Sequence, residues 1–336
     1  MRQVAIALFA NVLLFAQSAT EPARPVAARS PYIDVHAHLE PDTLDASIEA
    51  AAQALKSENA TKILFLPPPF AADDGSRFDS EQIATAQRKF PGAFAFLGGG
   101  GTLNPMIQEA MRSGGVSPEE RRNFRNRAEE ILRQGAAGFG EMTAEHFAGG
   151  TSYQYAPADH PLFLLLADIA AQHGVPIDLH MEAVPQAMRL PSDLRSPPNP
   201  IDLHDNIAAF ERLLTHNPGT KIVWAHAGSD NTGYRTPDLC RRLFRAHSNL
   251  YMQIKLDPVN PGKNYPLDPV SGRITPEWLR LFEDFQDRFV IGTDQHYPMP
   301  GSGVQRWQAS VLLLNQLPGD IRRKIGAQNA QRIYRH

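Results

Sequence analysis

Short β-prone runs alternate with longer stretches of helical period along most of the chain. The runs are "YIDVHAH" (32–38), "KILFLP" (62–67), "AFAFLG" (93–98), "AGFGEM" (137–142), "PIDLHM" (176–181), "KIVWAH" (221–226), "LYMQIK" (250–255) and "FVIGTD" (289–294). Between them lie amphipathic stretches such as "TLDASIEAAAQALKS", "SPEERRNFRNRAEEILRQG", "HPLFLLLADIAAQHG", "LHDNIAAFERLLTHNP" and "TPEWLRLFEDFQDR". "SPEE" predicts a helix start, with Ser117 as cap, Pro118 in the first helical position and acids in the first turn. Strand–helix alternation requires parallel strands joined by crossover helices. Eight such units predict an α/β fold, a single (β/α)8 TIM barrel with long βα loops over residues 31–336. An open doubly wound sheet would carry a glycine-rich fingerprint after its first strand. "GGGGTLNP" (98–105) follows the third strand, lacks that spacing, and reads as a tight loop at the barrel mouth.

The first residues have another character. "MRQ", the apolar run "VAIALFANVLLFA" and the small residues of "QSAT" follow the plan of a secretory signal peptide over residues 1–19, cut after Ser18 or Ala19. The run is shorter than the ~18 apolar residues of a spanning helix. The expectation is therefore a periplasmic or secreted protein with no stable membrane insertion after cleavage. Residues 20–30, "TEPARPVAARS", read as a flexible tether. Hydrophobic residues at 42% and charged residues at 21% describe an ordinary globular chain. A net charge of −3 with no basic cluster excludes a phosphate-backbone footprint, so the expected partner is a small-molecule substrate and not nucleic acid. Cys240 is the only cysteine, which excludes an intrachain disulfide and predicts a buried thiol in a helix.

Polar residues gather at the predicted strand ends. His36 and His38 end the first strand, Glu141 the fourth, His180 the fifth, His226 the sixth and Asp294 the eighth. Residues i and i+2 of a strand share a face, and the C-terminal strand ends of a parallel barrel form one rim. One such residue alone would be a core histidine or a capping acid; six on one rim predict a metal centre. Asp34 shares the inward face by the same alternation, either bonding a ligand histidine or serving structure alone. Lys255, ending the seventh strand, is read as a binder of an anionic substrate group or as a solvated rim lysine. Tyr153, Tyr155, Arg189, Arg195 and His296 are weaker candidates for substrate contact, and read first as surface or loop packing. His160, His173, His204, His216 and His247 fall in or beside helices and read as surface residues. Loops 143–159, 182–201 and 256–272 are the expected substrate walls.

These segments together resemble the amidohydrolase superfamily, in its amidohydrolase-related (amidohydrolase 2) branch. "IDVHAHL" is similar to its strand-one signature, "HPLFLLLADIAAQHGVPIDLHME" to its strand-five segment and "FERLLTHNPGTKIVWAHAG" to strand six. "FEDFQDRFVIGTDQHYP" resembles strand eight, and "IGAQNAQRIYRH" the closing helix. The resemblance implies that His36, His38, His180 and Asp294 are metal ligands, and that His226 is a second-metal ligand or a catalytic histidine. Glu141 departs from binuclear members that place a carbamylated lysine there. It either bridges two ions or stands behind a ligand histidine and orients it. Imidazole and carboxylate donors suit one or two divalent ions, zinc first, with manganese, iron or cobalt following. A bound ion lowers the pKa of water to about 7, which supplies a hydroxide nucleophile. Asp294 and His226 are then the catalytic pair, Asp294 relaying a proton to the leaving group and His226 holding an ion or polarising the attacked oxygen. Activity should fall in acid as the histidines protonate. The implied activity is hydrolysis of an amide, ester, lactone or phosphoester of a small molecule. A decarboxylating lyase is the alternative, and a metal-dependent deoxyribonuclease is disfavoured by the acidic chain. The intact ligand set argues against a receptor without catalysis.

Overall fold

The computed structural model describes residues 31–149, 152–298 and 306–334, so the expected signal peptide and tether lie outside the described residues. Eight strands follow the predicted runs: β1 (Tyr32–Leu39), β2 (Ala60–Phe65), β3 (Phe94–Phe96), β4 (Phe139–His146), β5 (Pro176–Met181), β6 (Lys221–Ala227), β7 (Leu250–Ile254) and β8 (Phe289–Ile291). All pair in parallel, in the order β3-β2-β1-β8-β7-β6-β5-β4. The ring closes within one stretch of chain. Phe96 ends β3 beside β2, and after Leu97 alone the pair Gly98–Gly99 runs parallel to β4. Leu97 N–H donates to the Phe65 carbonyl on one side, at 2.9 Å, while the Phe96 carbonyl accepts from Ala137 N–H on the other, at 2.8 Å. The glycines that follow serve close backbone approach: a Cβ on Gly100 would lie 2.5 Å from the Pro67 carbonyl oxygen.

Helices Leu44–Glu58, Pro118–Arg133, Pro161–His173, Ile207–His216 and Pro276–Asp284 match the predicted amphipathic stretches. Ser117 caps as its sequence predicts: its side chain accepts from Glu120 N–H while the Glu120 side chain accepts from Ser117 N–H. Cys240 is fully buried, and burial pushes its thiol up to about 12, an inert packing residue. His160 is a correction, because it is buried and its Nδ1 accepts from Leu162 N–H to cap a helix. His173, His216 and His247 instead pair near the surface with Glu129, Asp168 and Glu211, and His204 is exposed.

Two apolar bodies sandwich the sheet. The larger lies between strands and helices. The smaller fills the barrel interior with Ile33, Val35, Leu64, Leu66, Leu97, Val223 and Val290, and the last helix, Asn329–Tyr334, adds Ile333 and Tyr334. These two clusters give the facing of each strand residue. In β1, Ile33 and Val35 point inward, whereas Tyr32, Ala37 and Leu39 pack on the helices. The register slips between Asp34 and Ala37, so that His36 and His38 point inward after Val35.

The same device recurs in β4 between Phe139 and Met142, and in β6 between Trp224 and Ala227. Those four residues all face the helices, and the slips turn Glu141 and His226 inward. Asp34 does not share the inward face as alternation suggested, and of its two expected roles the structural one fits. It lies across from helix-facing Ile291 and touches no ligand imidazole ring. Its carboxylate accepts from Thr293 N–H (2.9 Å), Thr293 Oγ–H (2.5 Å) and His36 N–H (3.2 Å), tying β1 to the turn after β8.

Candidate metal centre and active site

All six residues predicted for the rim meet at the mouth of the barrel. His36 Nε2 and His38 Nε2 are 3.2 Å apart. Asp294 Oδ1 is 2.9 Å from His38 Nε2 and 3.7 Å from His36 Nε2. Glu141 divides its carboxylate. Oε2 faces His36 Nε2 at 3.3 Å and His38 Nε2 at 3.7 Å, while Oε1 faces His180 Nδ1 at 2.8 Å and His226 Nε2 at 3.0 Å. Donor atoms around one tetrahedral ion with ligand bonds near 2.0–2.1 Å stand roughly 3.3 Å apart. The observed separations bracket that value, so the donor set fits a divalent cation. His36, His38 and Asp294 form one tight donor group, and His36, Glu141 and His226 another; His180 stands just outside both, against Glu141.

Groups behind the donors fix their orientation. His38 Nδ1–H donates to the Leu66 carbonyl at 2.9 Å, which leaves the Nε2 lone pair for a ligand bond. His36 Nδ1 stands 3.4 Å from Asp178 Oδ1, and His180 Nε2 stands 3.9 Å from Glu182 Oε1. Asp178 therefore takes the place behind a ligand histidine that alternation suggested for Asp34. It sits two residues before His180 on the same face, a signal legible in "PIDLH". His226 and Asp294 adopt left-handed φ of 67° and 55°, a conformation costing non-glycine residues on the order of 1 kcal/mol or more. The bond from Asp294 N–H to the His36 carbonyl (2.8 Å) holds one of these turns, and that from Ser229 N–H to the His226 carbonyl (2.9 Å) holds the other.

Electrostatics follow from this crowding. Burial works to raise the carboxyl of Glu141, but His36 and the bonds from His180 and His226 hold it well below its ordinary value. Burial likewise opposes ionisation of Asp294, and Lys255 and His38 overcome it. Burial and the Lys255 charge push His226 well down. His36 moves the other way: Asp178 and Glu141 outweigh its burial and hold it well above its usual range. Lys255 is neither free nor solvated. Its Nζ lies 2.5 Å from Asp294 Oδ2, and the side chain is largely buried. Arg306, which the sequence did not single out, joins the same carboxylate oxygen at 3.3 Å and holds Asp257 at 3.0 Å.

Above the cluster opens a cavity of about 730 Å³, walled by Phe70, Phe78, Phe147, Glu182, Asn231 and Arg235 among others. His296 belongs to it as well, with its ring 4.7 Å from that of His38 and Nδ1 bonded to Glu40. Tyr153 donates to Glu145, Tyr155 pairs its ring with His204, and Arg189 and Arg195 are exposed. β4 runs further than expected, to His146, which lines the cavity with its ring 4.7 Å from His180. Burial, with His180 beside it, pushes this imidazole down to about 3, so it is neutral.

Glu145, on the opposite face of β4, accepts from Tyr153 (3.1 Å) and Asn206 (2.8 Å). Burial outweighs these bonds and, with Glu182 nearby, pushes its carboxyl up to about 8. A folded-state value raised above the unfolded one, about 4.3, adds stability that is complete below the lower value. That stability is lost as pH rises through the higher one. Glu145→Gln mimics the protonated acid. Its unfolding free energy in urea should therefore gain on that of the wild type by a few kcal/mol between pH 5 and 8; parallel pH profiles would refute this.

Comparisons agree on the architecture. No curated protein matches the chain. A 2,6-dihydroxybenzoate decarboxylase bound to 2,6-dihydroxybenzoate superposes with TM-score 0.54 at 13% identity, over 91% of this chain and 100% of that one. A 5-carboxyvanillate decarboxylase from Novosphingobium aromaticivorans, with bound manganese and 3-methoxy-4-hydroxy-5-nitrobenzoic acid, gives TM-score 0.50 at 12% identity over 91% and 97%. Dihydroorotase from Saccharomyces cerevisiae with 5-fluoroorotic acid gives 0.51 at 12% over 91% and 84%. No helix among the described residues is long and apolar enough to cross a membrane. The sequence model of the amidohydrolase family matches residues 33–336, and with it the chain is placed as a metal-dependent enzyme of the amidohydrolase family.

Proposed function

We propose that the protein is a secreted or periplasmic hydrolase that uses a pair of divalent cations to break an amide, ester, lactone or phosphoester bond of a small molecule. The observation that carries this reading is the divided carboxylate of Glu141, with one oxygen toward His36 and His38 and the other toward His180 and His226. A carboxylate set between two donor groups can hold a cation on each oxygen. His36, His38 and Asp294 would hold one, His180 and His226 the other, and Glu141 both. Zinc suits four imidazoles and two carboxylates, and manganese, bound by one of the similar decarboxylases, is the next choice. When bound, the cations supply Lewis acidity toward the attacked bond and lower the pKa of water.

The protein's own groups do the rest. Asp294 keeps Oδ1 toward the histidines and Oδ2 on Lys255 and Arg306, so it stays ionised in a fixed orientation. It accepts the proton of the attacking water and returns it to the leaving group. His226 is held neutral by burial and Lys255, the form in which an imidazole can bind a cation. Phe70, Phe78 and Phe147 exclude bulk water around the substrate. The acidic chain speaks against nucleic acid as substrate.

A decarboxylating lyase is the second reading, favoured by the decarboxylases among the similar structures. Metal content of the purified protein separates the two. The bridged pair predicts about two equivalents per chain, falling toward about one in Glu141→Gln and in His226→Asn. A single equivalent untouched by either substitution would favour the lyase. No metal after repletion would end both readings.

A further inference from the structure

His146 is a polar side chain in the cavity that the proposed reaction leaves unused. Among the described residues its ring makes no hydrogen bond, and its Nδ1 is sealed from solvent with no partner. An orphaned N–H costs more than an orphaned lone pair, because a lone pair tolerates weak polar contact that a donor cannot replace. The proton therefore belongs on Nε2, the edge of the ring left for the cavity.

The ring is held in place from several sides. Its backbone pairs antiparallel with Gln154, whose side chain donates to the Pro69 carbonyl (2.5 Å) and accepts from Asn104 (2.8 Å). The ring stands against that of His180, tilted by 50°. An imidazole with one nitrogen sealed and its other edge toward the cavity lacks only an acceptor.

We propose that His146 is a substrate-positioning residue whose Nε2–H donates to a carbonyl, carboxylate or phosphoryl oxygen of the substrate on the His180 side of the metal cluster. The inference rests on the metal-dependent reading above, since the donor faces the same cavity as the proposed ligands. Lys255 lies on the Asp294 side of the cavity, and His146 lies against His180.

The test uses zinc-loaded full-length protein with ¹⁵N-labelled histidine, and inorganic phosphate as the oxygen-bearing probe. Long-range ¹H–¹⁵N correlation at a single neutral pH should show His146, assigned by its disappearance in His146→Gln, as the Nε2–H tautomer, and phosphate should shift its Nε2. Phosphate should bind His146→Ala about tenfold more weakly than wild type, the equivalent of one lost hydrogen bond. The amide N–H of His146→Gln should bring affinity back to within about threefold of wild type, and zinc content should be unchanged in both. A Nδ1–H tautomer, a shift-free ring at saturation, or unchanged affinity in His146→Ala overturns the proposal. Zinc loss in both variants also overturns it, because His146 would then serve the metal cluster itself. Absence of zinc in the wild type refutes the metal-centre reading, and this inference with it; zinc without phosphate binding overturns the inference alone.

Discussion

Asp294→Asn should lower turnover by about three orders of magnitude, within the range typical of a positioned proton-transfer group. Asparagine keeps the size and the left-handed turn, which Asn and Asp tolerate better than most residues. It removes the negative charge that Lys255 and Arg306 converge on and the basic oxygen that faces His38. Two cationic side chains would then be left against a site that already concentrates positive charge when loaded. Proton transfer in the transition state and ligand charge are lost together, so kcat and kcat/KM should fall in parallel. Steady-state kinetics decide this, on whichever hydrolysable ester, amide, lactone or phosphoester proves active. A variant that only raises KM would show Asp294 to be a binding group, and the relay assigned to it would be wrong.

Stripping the metal should lower the melting temperature by on the order of 10 °C. The reason lies in the charges gathered at the mouth. Glu141 and Asp178 are almost wholly buried within reach of His36, and Asp294 closes the group. Without cations this cluster depends on histidine protonation, which explains why His36 is held so far above its usual range. Free metal at a thousand times its dissociation constant stabilises by about 4 kcal/mol. In a domain of about 300 residues each kcal/mol is worth roughly 1.5–2 °C, and a second ion adds to the shift. Melting curves with and without chelator, followed by add-back of zinc or manganese, give the measurement. Glu141→Gln should show a smaller drop on chelation, having fewer ions to lose. Coincident wild-type curves with and without chelator would mean that no ion stabilises this site.

The strands were legible because a strand of a closed parallel barrel is buried on both faces. Runs such as "KILFLP" and "FVIGTD" advertise that in sequence. The rim residues were legible because a histidine or acid ending such a run has few packing reasons to be there. Less visible was anything set by register. Strict alternation put Asp34 beside His36, whereas the slip after Asp34 gave it to Thr293. His146 was hidden by the apparent end of its run at Met142, since the extension of β4 depends on Gln154 folding back beside it. The tie between Lys255 and Asp294 joins the ends of the neighbouring strands β7 and β8, and depends on how far each side chain reaches across that pair.

The register slips ahead of the ligands also bear on how this fold can change over generations. One residue gained or lost in β1, β4 or β6 ahead of His36, Glu141 or His226 would rotate the ligand in among the helices and bring an aliphatic neighbour to the mouth. Those strands are therefore fixed in length as strictly as in composition. The loops at 182–201 and 256–272 carry no such constraint. Insertions that diversify the substrate can accumulate there, while the strands keep a ruler-like count that a single-codon deletion would break.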